Sequence, residues 1–475
     1  MLITLECVIL ALQAVAAVRL ALHSPIEITS PSNNRLSKRS PVELGDDIRK
    51  CYTMKVNANG VDLNLRVDSG VSDIMVPLPS SSNDIGLAIQ SIPGGELVTI
   101  NYRDKEYSGF SSDTDVTIPG TSITGINLPV IAVERQSADS VGISSNLDGV
   151  FGFGYSSFSK HHPPITAMDI LYKDGIIPNN EIGLQLCPYD ILHESFINIG
   201  NTDITAKCGT DGSSVAWVQS PTNDQFTINI KSILINDEQV ELPAEFQKRV
   251  EDGHTLYSFI QTCSAYMYLP KTVVATLIND ILDSGAIRVK GILFRNKLGK
   301  IMLKSILQGN YIMPKSEFKI KWEKLPSFTI VMFAQNPVTV NNYNSVVTIK
   351  LGPRDYIQKT DSDEFLFTVT AGPNNNAALG IPFMTRLEVT FDRQNQRIGF
   401  GPGCGCEVMA DGYPTISNSN QVLWPLTQLP EQPSTSSSSG RSTLRRSLSR
   451  LGSIRRDSRR PKMAYKDSDG YWPLN

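Results

Sequence analysis

Two stretches of this 475-residue chain align without a gap, and that repeat constrains the fold more than any other feature. LRVDSGVSDIMVP, from Leu65, places Asp68 three residues after Leu65 and nine before Pro77. FIQTCSAYMYLP, from Phe259, places Gln261 nine residues before Pro270. A hydroxyl side chain follows each, Ser69 in the first copy and Thr262 in the second. An internal repeat of this kind predicts two lobes of like construction, one copy in each. Between about Lys50 and Cys406 the chain runs in short Val, Ile, Thr, Tyr and Phe segments broken by Gly, Pro and Asn, the pattern of a mainly β body with few helices. The length suffices for two ordinary domains, each with its own core.

The flanks differ from the body. An apolar run from Cys7 to Val18 ends in small residues, with Ala14 and Ala16 in an A-x-A arrangement. It is too short to span a bilayer comfortably and predicts a secretory signal peptide over 1–18. Polar residues then lead to Lys38-Arg39, a dibasic site of the kind a kexin-type processing protease cuts in secreted precursors. A short propeptide is therefore expected over 19–39, with the mature protein secreted or delivered to a vacuole. At the other end, Arg441 to Arg460 holds eight arginines against one aspartate, a net +7, so the rest carries about −10 of the total −3. With the preceding PSTSSSSG, this predicts a Ser/Arg-rich disordered tail over 407–475. Leu444, Leu448 and Leu451 would share one face of a helix there, a weak lead to an anionic membrane or acidic partner.

VDSGVSD resembles the first D-[ST]-G-[ST]-S-D signature of the pepsin-like aspartic proteases, and further segments resemble that family in the same order. Ile100-Asn101-Tyr102, with Gly109 seven residues after the tyrosine, is similar to its flap hairpin. LDGVFGFGYSSFS, from Leu147, is similar to the segment that closes the first active-site loop. WVQSPTNDQFTINIKSILIND resembles the entry to the second lobe, and ALGIPFMTRLEVTFDRQNQRIGFGP, from Ala378, the closing strands. The resemblance implies a bilobal β fold with a central cleft, a flap over it and a shared six-stranded sheet beneath. The lobes are expected over 40–210 and 211–406.

The family's chemistry needs two carboxylates, because one must take a proton from water while the other gives one to the scissile carbonyl. Like charges so close share a single proton. The resemblance assigns Asp68 as the first carboxylate and puts Gln261 in the position of the second, with Gly70 allowing close backbone approach in the first turn and Ser69 and Thr262 interlocking the two loops. An amide holds water by hydrogen bonds but does not cycle a proton near neutral or acidic pH. Cys263 puts a Cβ where the family has glycine, Val71 replaces a supporting hydroxyl, Met75 replaces the tryptophan that anchors the flap tyrosine, and Arg103 and Lys105 replace flap glycines. These departures point to a pseudo-protease that binds extended peptides. The alternative is an active endopeptidase whose missing function comes from another carboxylate, and the second literal D-S-G of the chain, ILDSGAI, offers Asp283. Against it, Ile292 rather than Pro lies nine residues on, and Gly285 reads as the C-cap of a helix over TVVATLINDIL. Tyr102 is read as the flap residue, with a plain cross-strand aromatic as the other reading, and Asp148 and Asp392 as structural.

Six cysteines beyond the leader permit 15 connectivities in an oxidising compartment. Cys187 and Cys208 flank a short segment and are expected to pair, while the resemblance brings Cys51 and the Cys404/Cys406 pair to one sheet. Cys263 is read as a buried, inert thiol, with no histidine placed to activate it. No metal-ligand spacing occurs, so no metal or cofactor is expected. The expected partners are peptide or protein ligands of a monomer; nucleic acid is not among them.

Overall fold

The structure, a computed structural model, describes residues 18–21, 51–77, 95–102, 105–136, 149–188, 195–200, 215–248, 250–251, 254–289, 297–361, 363–372, 375–403 and 412–423. The leader before Val18, the dibasic pair, Arg103, Asp148, Cys208, Cys404, Cys406 and the Arg-rich segment lie outside these residues.

Alternation builds the first lobe. Along Thr53–Ala58, Met54, Val56 and Ala58 face the core while Lys55 is exposed, as a strand with one wet face requires. The chain turns back through Asn59 and Gly60, both at positive φ, into Val61–Asp68. Seven strands complete the sheet, among them Ile74–Pro77, Ile126–Gln136, Val150–Gly152 and a long hairpin of Leu97–Tyr102 with Lys105–Thr117.

The internal repeat appears in the strand directions. The strand ending at Asp68 runs parallel to Val150–Gly152, which is antiparallel to Ile74–Pro77, which in turn is parallel to Ile126–Gln136. In the second lobe Ser258–Ile260 runs parallel to Ala378–Leu379, which is antiparallel to Met267–Leu269, itself parallel to Val369–Ala371. The order parallel, antiparallel, parallel is thus repeated. The helix Lys271–Ser284 follows Pro270, buries Val273, Val274, Leu277, Ile278 and Ile281 on one face, and stops at Gly285 in the left-handed conformation.

A six-stranded sheet drawn from both halves of the chain lies between the lobes, in the order Val18–Ala21, Phe196–Ile199, Glu181–Gln185, Leu387–Asp392, Arg397–Pro402, Ala216–Gln219. The expected bilobal β architecture is therefore present. Its edge strand, Val18–Ala21, falls where the leader was expected to give way to the propeptide. Near this sheet Phe153, Phe226 and Phe391 form a cluster with ring centroids 4.7–5.7 Å apart, one aromatic from each lobe and one from the sheet between them.

The boundary expected at residue 407 is too early. Thr415–Asn418 and Gln421–Leu423 form a hairpin that extends the second lobe's outer sheet by pairing with Val346–Leu351, and Ile416 and Leu423 are buried. Its short strands turn at Ser419, at positive φ, and were hidden by the polar composition of SNSN next to a low-complexity stretch.

Arg393, buried in the turn after Leu387–Asp392, ties the sheet to the first lobe. Its guanidinium donates to Asp169 Oδ1 at 2.9 Å, to the Gly154 carbonyl at 2.9 Å and to Thr166 Oγ1 at 3.0 Å. Asp169 also closes a capping box with Thr166 at the start of the helix Ala167–Lys173. Burial acts to raise the Asp169 carboxyl, but Arg393 and the Thr166 and Asn180 hydrogen bonds outweigh it and hold the group below its ordinary range. Arg393 is buried while Asp169 is partly exposed, so removing Arg393 strands the Gly154 carbonyl and Thr166 hydroxyl more than the carboxylate. Arg393→Ala is expected to cost about 1–3 kcal/mol in urea-induced unfolding. Because the Asp169 pKa is depressed, its contribution is present above the unfolded-state pKa and fades as pH falls through the folded one. The deficit of Arg393→Ala should accordingly shrink at strongly acidic pH.

Candidate active site

Asp68 ends its strand inside the molecule, only 1% exposed. Donors from its own loop and from the hairpin hold its carboxylate. The Gly70 amide donates to Oδ1 at 2.8 Å, and the Tyr102 phenol donates to Oδ2 at 2.8 Å. Tyr102 closes the hairpin at its tip, opposite Lys105, and is buried with Met75, Val98, Ile100 and Tyr107, with Val71 packed alongside. The two departures Val71 and Met75 thus belong to one apolar bed under the hairpin, and the phenol above that bed reaches the carboxylate.

Gln261 starts the equivalent loop of the second lobe, one residue beyond Ser258–Ile260. Both loops require a glycine from a neighbouring strand. A Cβ on Gly152 would lie 2.5 Å from the Asp73 carbonyl oxygen and 2.6 Å from that of Val71. A Cβ on Gly380 would lie 2.3 Å from the Tyr266 carbonyl oxygen and 2.4 Å from that of Ser264. Asp73 and Val71 stand five and three residues after Asp68, and Tyr266 and Ser264 stand five and three after Gln261. The crowding fixes the register of the repeat and makes Gln261 the counterpart of Asp68. The two side chains border one small space: a methyl placed on Gly70 would meet Asp68 Oδ1 at 3.2 Å and Gln261 Nε2 at 3.7 Å.

The loops are joined reciprocally. The Ser69 amide donates to Thr262 Oγ1 at 2.9 Å, and the Thr262 amide donates to Ser69 Oγ at 3.0 Å. The Ser69 hydroxyl then donates to the Ile260 carbonyl at 3.2 Å, and the Thr262 hydroxyl to the Val67 carbonyl at 2.9 Å. Four buried hydrogen bonds therefore cross between the lobes about a local two-fold axis.

A eukaryotic aspartyl protease profile matches residues 53–403, which include both loops and five of the six strands of the sheet between the lobes. The chain belongs to that family. Among curated relatives, it is 24% identical to aspergillopepsin-1 of Aspergillus flavus and, equally, to aspergillopepsin-1 of Aspergillus oryzae, each over 392 residues that cover 78% of either chain.

Two expectations need correction. Asp283 is no partner for Asp68: it lies near the end of the helix Lys271–Ser284 with its side chain 74% exposed, in an ion pair with Lys300 at 2.8 Å, whereas Asp68 is enclosed. Gly285 is the helix cap, so that D-S-G is a helix terminus. Nor is Cys263 a thiol, and Cys51 does not join Cys404 or Cys406. Cys51 and Cys263 are bonded to each other, with Cα atoms 4.6 Å apart across 212 residues of sequence. Cys187 is disulfide-bonded as well; Cys208, its expected partner, lies outside the described residues. Spacing gave no hint of the first bridge, since Cys51 precedes the strand Thr53–Ala58 of one lobe and Cys263 lies two residues after Gln261 in the other. Its sulfur lies 3.5 Å from the Tyr102 hydroxyl.

A supporting cluster behind Asp68 also went unnoticed. Asp73 is buried, accepts from the Ser159 hydroxyl at 2.7 Å and from the Lys160 amide at 2.8 Å, and is raised above the usual carboxylate range chiefly by burial. Burial lowers the neighbouring His161, whose Nε2 has no hydrogen-bond partner among the described residues, and Asp73 opposes that shift. Asp392, read as structural, accepts from the Asn395 amide at 3.0 Å and the Arg397 guanidinium at 2.7 Å.

Thr262→Val keeps the side chain's shape while stranding the buried Ser69 amide and Val67 carbonyl, and should cost about 1–3 kcal/mol in urea unfolding. Combined with Ser69→Ala, the two losses should be non-additive by about 0.5–3 kcal/mol, as for groups in one network. At His161 the depressed pKa means that stability is lost as pH falls through the unfolded value near 6.5. His161→Gln removes that titration, so its melting temperature relative to the parent should rise between about pH 7 and pH 5.

Proposed function

We propose that this protein is a secreted, proteolytically processed pepsin-like protein whose cleft binds extended peptide but has lost efficient hydrolysis. One observation carries the reading: the residue equivalent to Asp68 in the second lobe is Gln261. Hydrolysis requires a base for the water and an acid for the scissile carbonyl. Asp68 supplies the first. The Gln261 amide offers hydrogen bonds of both senses but no exchangeable acid proton. Loss of one general acid typically lowers turnover by about 10²–10⁴-fold, and more where the two groups act as a unit.

The scaffold for peptide binding is retained, with a cleft between two β lobes and a hairpin across it, which suits an extended chain paired through its backbone. The apolar leader and Lys38-Arg39 support passage through a secretory route with removal of a propeptide. Among the described residues no helix is long and apolar enough to cross a membrane. The reading of an active enzyme, with Asp283 as second carboxylate, loses its candidate because that side chain is on the surface.

The test is peptide cleavage by the processed protein across acidic pH, beside Asp68→Asn and Gln261→Asp, the latter also combined with Cys263→Gly. The parent should be silent, and Gln261→Asp combined with Cys263→Gly should produce cleavage that Asp68→Asn removes. Cleavage by the parent that disappears in Asp68→Asn would overturn the proposal.

A further inference from the structure

The disulfide between Cys51 and Cys263 has no role in the reading above, yet it lies at the centre of the site. Cys51 and Cys263 are 0% and 1% exposed. From Cys263 the bridge runs to the loop of Gln261 and Thr262 in the second lobe. From Cys51 it runs directly into Thr53–Ala58, whose last residues, Asn57 and Ala58, pair with Thr117 and Val116 at the root of the flap's return strand. One covalent link thus joins the second lobe's loop to the strand that supports the flap. At the tip of the same flap, the Tyr102 hydroxyl touches Cys263 Sγ at 3.5 Å while donating to Asp68 at 2.8 Å. The tyrosine therefore occupies the place above Asp68 that a ligand's central residue would need, and the bridge forms part of its seat.

We propose that the Cys51–Cys263 disulfide is a latch: while intact it holds Tyr102 on Asp68 and the cleft shut, and its reduction by a small dithiol frees the flap and admits peptide. This rests on the reading of the cleft as a peptide-binding site. In the exchange a thiolate of the dithiol attacks one sulfur of the bridge, forming a mixed disulfide and releasing the other cysteine as a thiolate. The second thiol of the reagent then displaces the remaining cysteine. The dithiol is oxidised to its own disulfide, and the protein gains two thiols, taking up the two protons that the reagent loses. The Cys263 sulfur lies against the Tyr102 hydroxyl and both cysteines are buried, so the reagent reaches the bridge when the hairpin lifts, and cleavage then removes the covalent tie behind that contact.

The measurement is amide hydrogen exchange of the full chain, oxidised and in dithiothreitol, with Cys51→Ser to separate this bridge from that of Cys187. Exchange along 97–102 and 105–110 should rise about tenfold or more in the reduced protein and in Cys51→Ser, while Leu387–Asp392 and Arg397–Pro402 stay protected. Iodoacetamide should label Cys263 in the reduced, folded protein. Unchanged flap exchange, flap exchange that rises only together with that of the central strands, or a bridge that resists dithiothreitol while the fold persists would each overturn the latch. A short fluorescein-labelled peptide with Leu and Phe at its centre, followed by polarisation, separates the two readings. Binding only after reduction supports both. Equal binding to the oxidised protein leaves the peptide site standing and removes the latch. A flap that loosens without any binding keeps the latch and removes the peptide site.

Discussion

The reciprocal exchange between Ser69 and Thr262 is the constraint on which the rest depends. Each residue gives its amide to the other's hydroxyl, and each hydroxyl gives its proton to a carbonyl of the opposite lobe. All of these groups are buried, so none has water as an alternative partner, and the two loops meet in one relative position. Asp68 and Gln261 directly precede these residues, and their proximity follows from the exchange. Two further interlobe ties act on the same arrangement from different sides. Arg393 fastens the sheet between the lobes to Gly154, whose own amide donates to Val71 in the Asp68 loop at 2.8 Å. The Cys51–Cys263 bridge closes a very long loop, for which about 2–5 kcal/mol is typical of native disulfides.

Much of this was legible because it is written in short range. The nine-residue spacings to Pro77 and Pro270 mark two copies of one turn-and-strand unit, and the β periodicity around them marks the lobes. Asp68 could be singled out on the same grounds, as could Gln261, because a duplicated unit makes a substitution visible against its twin. Gly285 was readable as a cap because a helical run stops there, which already counted against Asp283. What escaped depends on distant parts of the chain. Nothing near Cys51 says that residue 263 will lie beside it, since that contact exists only once both lobes are docked. Gly380 is required by carbonyl oxygens of residues 264 and 266, more than a hundred positions earlier, and reads in sequence as one more loop glycine. The hairpin ending at Leu423 failed for another reason: its strands are short and polar on their outer face, and they adjoin a segment of similar composition.

The substitutions at the site form a consistent set. In an aspartic dyad two carboxylates share one proton, so the pair carries a single negative charge and one partner always presents a protonated face. Replacing one carboxylate with glutamine preserves the second property. The Gln261 amide presents an acceptor and N–H donors where a protonated acid would present an acceptor and one donor. On the proposed reading, this is why the interlock and the packing around it persist although an amide does not cycle a proton. The amide is a fixed copy of one half of a group that must alternate.

Cys263 fits the same logic from the opposite direction. A glycine after the catalytic hydroxyl residue serves a site in which the ligand's backbone comes close, since the lack of a Cβ leaves room. Here that position carries a side chain, and Cys263, with Cys51 within reach, turns the space into a covalent tie. The tie also sets a sulfur 3.5 Å from the hydroxyl of Tyr102, which donates to Asp68 at 2.8 Å. A site that must release product thousands of times cannot afford such a fixture. A site that only binds, or binds on demand, can be held closed by it.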